Sequence, residues 1–305
     1  MNLRDVVHSF GYAMQKKYGE KVHKITINAA FTCPNRDGSK GIGGCTFCNN
    51  ASFNPHARAP LSVCEQISSG KQVIARRLGA KKYIAYFQAY TNTYADIHRL
   101  KALYDEALAD NQVIGLSVGT RPDCVPDAVL ALLADYQQRG FEVWLELGLQ
   151  SAFNQTLDRV NRGHHFEDYA NTVRRAKRYE LQICTHLIIG LPGENADHSM
   201  VSLNRVMEEG VQGIKFHPLH VVKGTQLANQ WRRGEYRALE FDDYIMQATN
   251  LVMHTPVDVI IHRLTATAEQ RLLLAPEWCA HKWHVLNAIH EQLIATGAKQ
   301  ACKLT

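Results

Sequence analysis

The sequence holds no apolar run approaching the roughly 20 residues of a membrane-spanning helix. Its opening stretch, MNLRDVVHSFGYAMQKKYGE, carries Arg4, Asp5, Lys16 and Lys17 and lacks the apolar core of a secretion signal. These absences predict a cytoplasmic protein with no membrane partner. There is no low-complexity tract, and Gly and Pro occur at ordinary levels, which argues against a disordered chain. The G-x-S-x-G string Gly115–Gly119 places its serine within an expected strand and not at the strand-to-helix turn a nucleophile elbow needs, and no glycine loop ends in G-K-S/T, so a hydrolase of either familiar type finds no support. Charge of one sign is also scarce. The 34 Lys and Arg against 29 Asp and Glu leave +5, which suits an anionic partner without requiring one. In a reducing compartment the eight cysteines are not a disulfide framework; metal binding, catalysis or burial remain.

What is present is a core and a rhythm. A chain of 305 residues with 46% hydrophobic content buries a sizeable interior. Apolar runs of strand length alternate with helix-period stretches. Strands are expected at Lys24–Ala29, Lys82–Gln88, Val113–Val118, Glu142–Gly148, Gln182–Ile189, Gly213–His217 and Val257–His262. Helices are expected at Leu61–Leu78, Tyr94–Ala109, Phe166–Tyr179, Asn195–Glu209, Asp242–His254 and Pro276–Thr296, and Asp123–Arg139 reads as loop and helix with Pro126 near the helix start. Strand–helix units about thirty residues long imply right-handed crossovers and a parallel sheet. Six or seven such units suit an α/β fold of the partial, open parallel β/α barrel type better than a closed eight-fold one. The expected organisation is an N-terminal helix over 1–21, the barrel core over 22–263, and a C-terminal helical extension over 264–305 packed on it. Polar clusters fall where the strands end: the loop after the first strand, Gln88–Asn92, Gly119–Asp123, Gln150–Ser151, Gly190–Glu194 and His217–Pro218. Sites in parallel α/β folds lie at that end.

The first of these loops, CPNRDGSKGIGGCTFC, places Cys33, Cys45 and Cys48 within sixteen residues with spacing C-x11-C-x2-C. Gly38, Gly41, Gly43 and Gly44 allow tight folding and let backbone amides approach sulfur. Three readings are open. Zinc needs a fourth ligand, for which His56 and Cys64 are candidates. A four-iron cluster on three thiolates leaves one iron open to substrate or cofactor. An incidental loop of small residues is the third. The remaining cysteines, Cys64, Cys124, Cys184, Cys279 and Cys302, are scattered and read as small core residues.

The ordered set CPNRDGSKGIGGCTFCNN, QAYTNTY, GTRPD, ELGLQS, NRGH, GLPGE and IKFHPLHVVKGT runs from position 33 to 225 and resembles the radical SAM superfamily. It is most similar to the YhcC-like branch, related to the radical SAM part of the elongator catalytic subunit. The first gap of eleven residues, where the superfamily usually has three, is characteristic of that branch. The resemblance implies an enzyme with a [4Fe-4S] cluster on Cys33, Cys45 and Cys48 and S-adenosyl-L-methionine on the remaining iron. It implies reductive cleavage of that cofactor to a 5′-deoxyadenosyl radical, which takes hydrogen from a substrate.

Phe47 is then expected near the adenine, and Gln88 in the region that meets the cofactor amino group. Gln150 and Arg162 are spaced as in the coproporphyrinogen dehydrogenase relatives, for the ribose and the carboxylate; Ser151 is a lesser candidate. His186 stands where those relatives carry an aspartate. His217, His220, Lys223, His262 and Arg263 are candidates to face the substrate. Reduced flavodoxin or ferredoxin is the implied electron donor, and RNA or a nucleoside the implied substrate class. The competing reading is a non-catalytic, zinc-binding RNA-interaction module.

Overall fold

Near-continuous apolar strands require cover on both faces, and that requirement shapes the chain. The computed structural model describes residues 2–49 and 61–304. Strands β1 (Val22–Ile27), β2 (Lys82–Phe87), β3 (Val113–Thr120), β4 (Glu142–Gln150), β5 (Gln182–Ile189), β6 (Gly213–Pro218) and β8 (Ile260–Arg263) form one seven-stranded sheet in the order β1-β2-β3-β4-β5-β6-β8. Every neighbouring pair is parallel. Helices α3 (Val63–Leu78), α4 (Ile97–Leu108), α5 (Asp127–Gln138), α6 (Asn154–Arg159), α7 (Phe166–Arg178) and α8 (Ala196–Glu208) lie between successive strands. Helices α9 (Gln226–Arg232) and α10 (Phe241–Met253) separate β6 from β8, and α11 (Lys282–Ala295) follows. The order is that of an open β/α barrel: β1 and β8 stay unpaired with each other.

Two short helices, α1 (Leu3–Val6) and α2 (Phe10–Tyr18), precede the sheet. Helix α2 packs against both edge strands, β1 and β8. Its Phe10 ring stands edge-on to Trp144 at 6.1 Å and tilted on His262 at 4.4 Å. The gap that strand pairing leaves open is thus covered by an aromatic plug. Strand β4 shows how one segment serves two environments. Val143, Leu145, Leu147 and Leu149 join the main apolar core beneath the helices. The alternate residues Trp144, Glu146 and Gly148 face the barrel interior, as a period of two dictates. None of the described helices is long and apolar enough to cross a membrane.

The strand expected at Val257–His262 begins later, at Ile260. Val259 N–H bonds the Pro256 carbonyl at 3.1 Å, which makes a turn of the preceding residues and leaves Val257 67% exposed. The 264–305 segment is not wholly helical. Its β9 (Leu273–Ala275) pairs antiparallel with β7 (Val221–Val222). Strands of two and three residues carry no legible alternation, and the helices α6 and α9, each under two turns, are too short to show a period. Of the scattered cysteines, Cys124, Cys184 and Cys279 are buried, while Cys64 and Cys302 are exposed, so the core reading fails for those two.

Close strand approach makes one glycine structural. The β2–β3 register shifts between Tyr83 and Ile84, and a Cβ on Gly115 would lie 1.9 Å from the Glu142 carbonyl oxygen. Gly115→Ala is expected to destabilise the fold by about 1–3 kcal/mol through overpacking. Gly11→Ala on α2, where nothing lies within 4 Å, is the control. Equal denaturant midpoints for the two variants would refute the expectation.

Candidate active site

At the carboxyl ends of the strands lies a cavity of about 250 Å³. Cys33, Cys45 and Cys48 share one part of its wall with Phe47, Gln88, Gln150 and Arg162. His186, His217, His220 and Arg263 also line it. Ser151 does not: its hydroxyl bonds Glu194, and it accepts the Phe153 N–H at 3.0 Å, so it braces a loop. Lys223 and His262 are likewise absent from the wall. His262 is held in the interior between Phe10 and Trp144.

The cysteine loop is held by backbone bonds and by two asparagines. Thr46 N–H bonds the Val160 carbonyl at 3.0 Å, and Leu227 N–H bonds the Thr46 carbonyl at 2.9 Å. The Asn35 amide donates to the Asn161 carbonyl at 2.5 Å, and Asn161 donates to the Gly44 carbonyl at 2.9 Å. The loop after β1 is thereby fixed to the N-R-G-H turn after α6. Glycine is required where they meet. A Cβ on Gly41 would lie 2.4 Å from Asn35 Oδ1, and Gly44 has φ +82° with a would-be Cβ 2.8 Å from Arg36 Nε.

The G-T-R-P-D motif after β3 completes the clamp. Arg121 bonds both Asp123 oxygens at 3.0 Å through Nε and Nη2. Its guanidinium also donates to the carbonyls of Arg162 at 2.7 Å and Gly163 at 2.9 Å. Burial opposes ionisation of Asp123, but Arg121 and then Lys40 outweigh it and hold the carboxyl at about 2. This support role had no signal in the motif taken alone, because the partners lie about forty residues away.

Arg162 points its charge at sulfur. Nη1 lies 3.5 Å from Cys45 Sγ, Nη2 donates to the Gly148 carbonyl at 2.6 Å, and Nε is buried without a partner among the described residues. The Asn35 amide lies 3.8 Å from the same sulfur. Burial, followed by the neighbouring Cys45, pushes Cys48 up to about 11, while Arg36 and Arg162 pull it down. Gly148 makes room for this arrangement: a Cβ there would lie 2.7 Å from Gln150 Nε2 and 2.9 Å from Arg162 Nη2. Gln150 itself adopts φ +80° beside a register shift between Gly148 and Gln150. Such backbone strain in a non-glycine residue concentrates at functional sites.

Three thiols around a cavity, faced by guanidinium and amide donors, match the soft donor set of an iron–sulfur cluster. A mononuclear metal finds less. Among the described residues no three His, Cys, Asp or Glu side chains converge as such a site requires. Cys64 is exposed on α3 and does not line the cavity; His56, the other candidate fourth ligand, lies outside the described residues.

Beneath the cavity a buried charge network fills the barrel. Glu146, fully buried, accepts from Lys24, Lys215, Ser117 at 2.5 Å and His186 Nε2 at 2.7 Å. Lys215 also donates to Tyr86 at 3.0 Å. Burial opposes the charge on Glu146, yet Lys215, Lys24 and His186 hold its carboxyl well below the usual range. Burial, with Lys215 adding to it, pushes His186 down to about 4 despite the bond to Glu146. His186 is therefore neutral near pH 7, its Nε2 proton donated to Glu146. The sequence marked His186 and His262 singly; nothing in it joined either to Glu146.

Comparison with known proteins adds to this geometry. The model of the Radical SAM superfamily matches residues 32–204, and that of the Radical_SAM C-terminal domain matches residues 211–295. The chain is 49% identical over 283 residues to protein YhcC of Escherichia coli (strain K12), covering 93% of this chain and 91% of that one. It is 28% identical over 141 residues to the tRNA uridine(34) acetyltransferase of Methanocaldococcus jannaschii, covering 45% of this chain and 25% of that protein. The solved structure of the archaeal Methanocaldococcus infernus Elp3 with an N-terminal deletion shares the fold, with TM-score 0.65 at 15% identity. That likeness covers 92% of this chain and 64% of that chain.

Proposed function

This chain belongs to the radical SAM superfamily and is a radical SAM enzyme, and from that membership we propose which of its residues do the work. Cys33, Cys45 and Cys48 would hold a [4Fe-4S] cluster. Arg162, Gln150, Gln88 and Phe47 would hold S-adenosylmethionine beside it. When bound, such a cluster would supply the single electron for reductive cleavage of this cofactor. The protein's own residues bind, orient and exclude water. Arg162 offers a fork of N–H donors suited to the cofactor carboxylate, and its unpartnered buried Nε is a donor that needs an acceptor. The Arg121–Asp123 pair fixes the turn that carries Arg162. Phe47 gives an apolar wall for the adenine, and the amides of Gln88 and Gln150 serve the amino group and the ribose.

One observation carries the reading: the three thiols and Arg162 share one cavity wall, with Arg162 Nη1 3.5 Å from Cys45 Sγ. Arg162→Ala is expected to weaken S-adenosylmethionine binding by about tenfold to a hundredfold, the range for losing a charged hydrogen bond. Calorimetric titration of the oxidised, anaerobic protein measures it, and the cluster absorbance should persist. Iron loss in this variant would show that Arg162 serves the cluster and not the cofactor.

The substrate reading is an RNA or a nucleoside. Its support is the partial likeness to a tRNA uridine(34) acetyltransferase together with the formal charge of +5. Reduced flavodoxin or ferredoxin in the cytoplasm fits as the electron source. Comparing tRNA nucleosides between cells with and without the gene tests the substrate; an unchanged nucleoside profile would remove RNA from consideration.

A further inference from the structure

We propose that the substrate carries an oxyanion, a phosphate or a carboxylate, which docks between the Arg263 guanidinium and the His217 ring on the β6–β8 side of the cavity. The inference rests on the reading of this cavity as the active site and names the chemistry of what enters it.

The argument begins with strand register. Gly213 pairs with Ile260 and Ile214 with Ile261, but Lys215 pairs with Arg263, because the β6–β8 register shifts between Ile214 and Lys215. Paired residues of a parallel ladder share a face. Lys215 points into the barrel toward Glu146, so the extra residue turns Arg263 inward as well. A bulge that re-aims a side chain at the mouth of a barrel is a common device near active sites. Without it, strict alternation after the inward His262 would send Arg263 to the helix side.

The cavity wall that receives Arg263 has no counter-charge. Among the described residues, no Asp or Glu lines the cavity, while Arg36, Arg121, Arg162 and Arg263 do. Three of these have protein acceptors: Arg36 bonds the Cys48 carbonyl at 2.6 Å, Arg121 bonds Asp123, and Arg162 bonds the Gly148 carbonyl. Arg263 has no ion-pair partner among the described residues. Glu146 does not serve it, since its two oxygens are occupied by Lys24, Lys215, Ser117 and His186.

His217 supplies the second half of the site. Its Nε2 is buried and has no partner among the described residues. A proton there is a donor aimed at nothing, which costs about 1–3 kcal/mol until an acceptor arrives. Its ring lies 5.5 Å from that of His186, which Glu146 fixes. After burial, Arg263 is the largest influence keeping His217 neutral, so the guanidinium field falls on this same space. A guanidinium fork and a ring N–H together match two oxygens of one anion. The cofactor does not fill this role under the proposed assignment, because its carboxylate goes to Arg162, beyond β4 on the side of the cysteine loop.

The test uses the cluster-loaded protein, anaerobic and oxidised, with S-adenosylmethionine present and no reductant. Inorganic phosphate and, separately, acetate are titrated while the ring-proton resonance of His217 is followed by NMR, assigned with His217→Asn. The expected result is a saturable shift with at least one anion, weakened about tenfold or more in Arg263→Ala and partly restored in Arg263→Lys. Saturation by phosphate alone identifies a phosphoester substrate, and by acetate alone a carboxylate. No saturable shift, or an equal one in Arg263→Ala, overturns the proposal, as does a shift seen only when S-adenosylmethionine is left out. A sample that binds neither iron nor S-adenosylmethionine defeats the reading of the site instead. The anion titration needs no turnover and is then read on its own.

Discussion

Protein isolated without oxygen is expected to be brown, to carry about four irons per chain, and to form 5′-deoxyadenosine when dithionite is added. The variant with Cys33→Ala, Cys45→Ala and Cys48→Ala together is expected to hold no iron and to form no product above a protein-free control. The reason is chemical. Thiolates are the soft donors that iron–sulfur clusters use, and three of them on a four-iron cluster leave one iron free for a further ligand. Among the described residues the cavity wall offers no carboxylate, and the other buried thiols, Cys124, Cys184 and Cys279, lie outside that wall. The loss should be local. The bonds that tie the loop down, Thr46 to Val160 and Leu227 to Thr46, are backbone bonds and survive the substitutions. Circular dichroism and the denaturation midpoint of the apo-protein should therefore match those of wild-type apo-protein. Iron and sulfide analysis with product chromatography decides the matter. Wild-type protein with one zinc and no iron would restore the zinc-binding RNA module. A triple variant that still cleaves the cofactor would place the chemistry elsewhere.

Glu146→Ala is expected to cost about 3–5 kcal/mol of folding stability, the range for removing one partner of a buried ion pair. This carboxylate is the single acidic hub for two ammonium groups, Lys24 and the fully enclosed Lys215, and it also accepts from His186 and Ser117. Removing it leaves two amines inside the barrel without their carboxylate partner. Burial already pushes Lys215 down to about 7 with Glu146 in place, so its loss should leave that lysine neutral. Glu146→Gln keeps the shape and one acceptor and should cost less. The double variant Glu146→Leu with Lys215→Met should recover part of the loss, because burying neither charge is better than burying one. Denaturant midpoints of the three variants check this. Wild-type stability in Glu146→Ala would show that water reaches the network and screens it.

The alternation of strand and helix was legible because each βα unit is local: apolar period two, then period 3.6, then a turn. The open barrel followed from counting the units. Cys33, Cys45 and Cys48 were legible from spacing, and the ordered motifs gave the family. Legibility failed where a residue's role depends on what lies beside it. Ser151 follows Gln150 in sequence, yet the chain leaves β4 between them and the hydroxyl turns to Glu194. Arg121 belongs to a motif whose partners are the carbonyls of Arg162 and Gly163. His262 and Arg263 are neighbours that looked equivalent; one is sealed between aromatic rings and the other faces the cavity.

By itself, then, the sequence determined the α/β class, the cysteine spacing and the family, because periodicity and motif order are properties of consecutive residues. Tertiary structure alone decided that Glu146 is the hub of the barrel interior and that Arg263 turns inward. The facing of a strand residue depends on the register of the strand beside it. Between β6 and β8 that register slips by one residue across more than forty positions of chain, a distance over which no local pattern carries information.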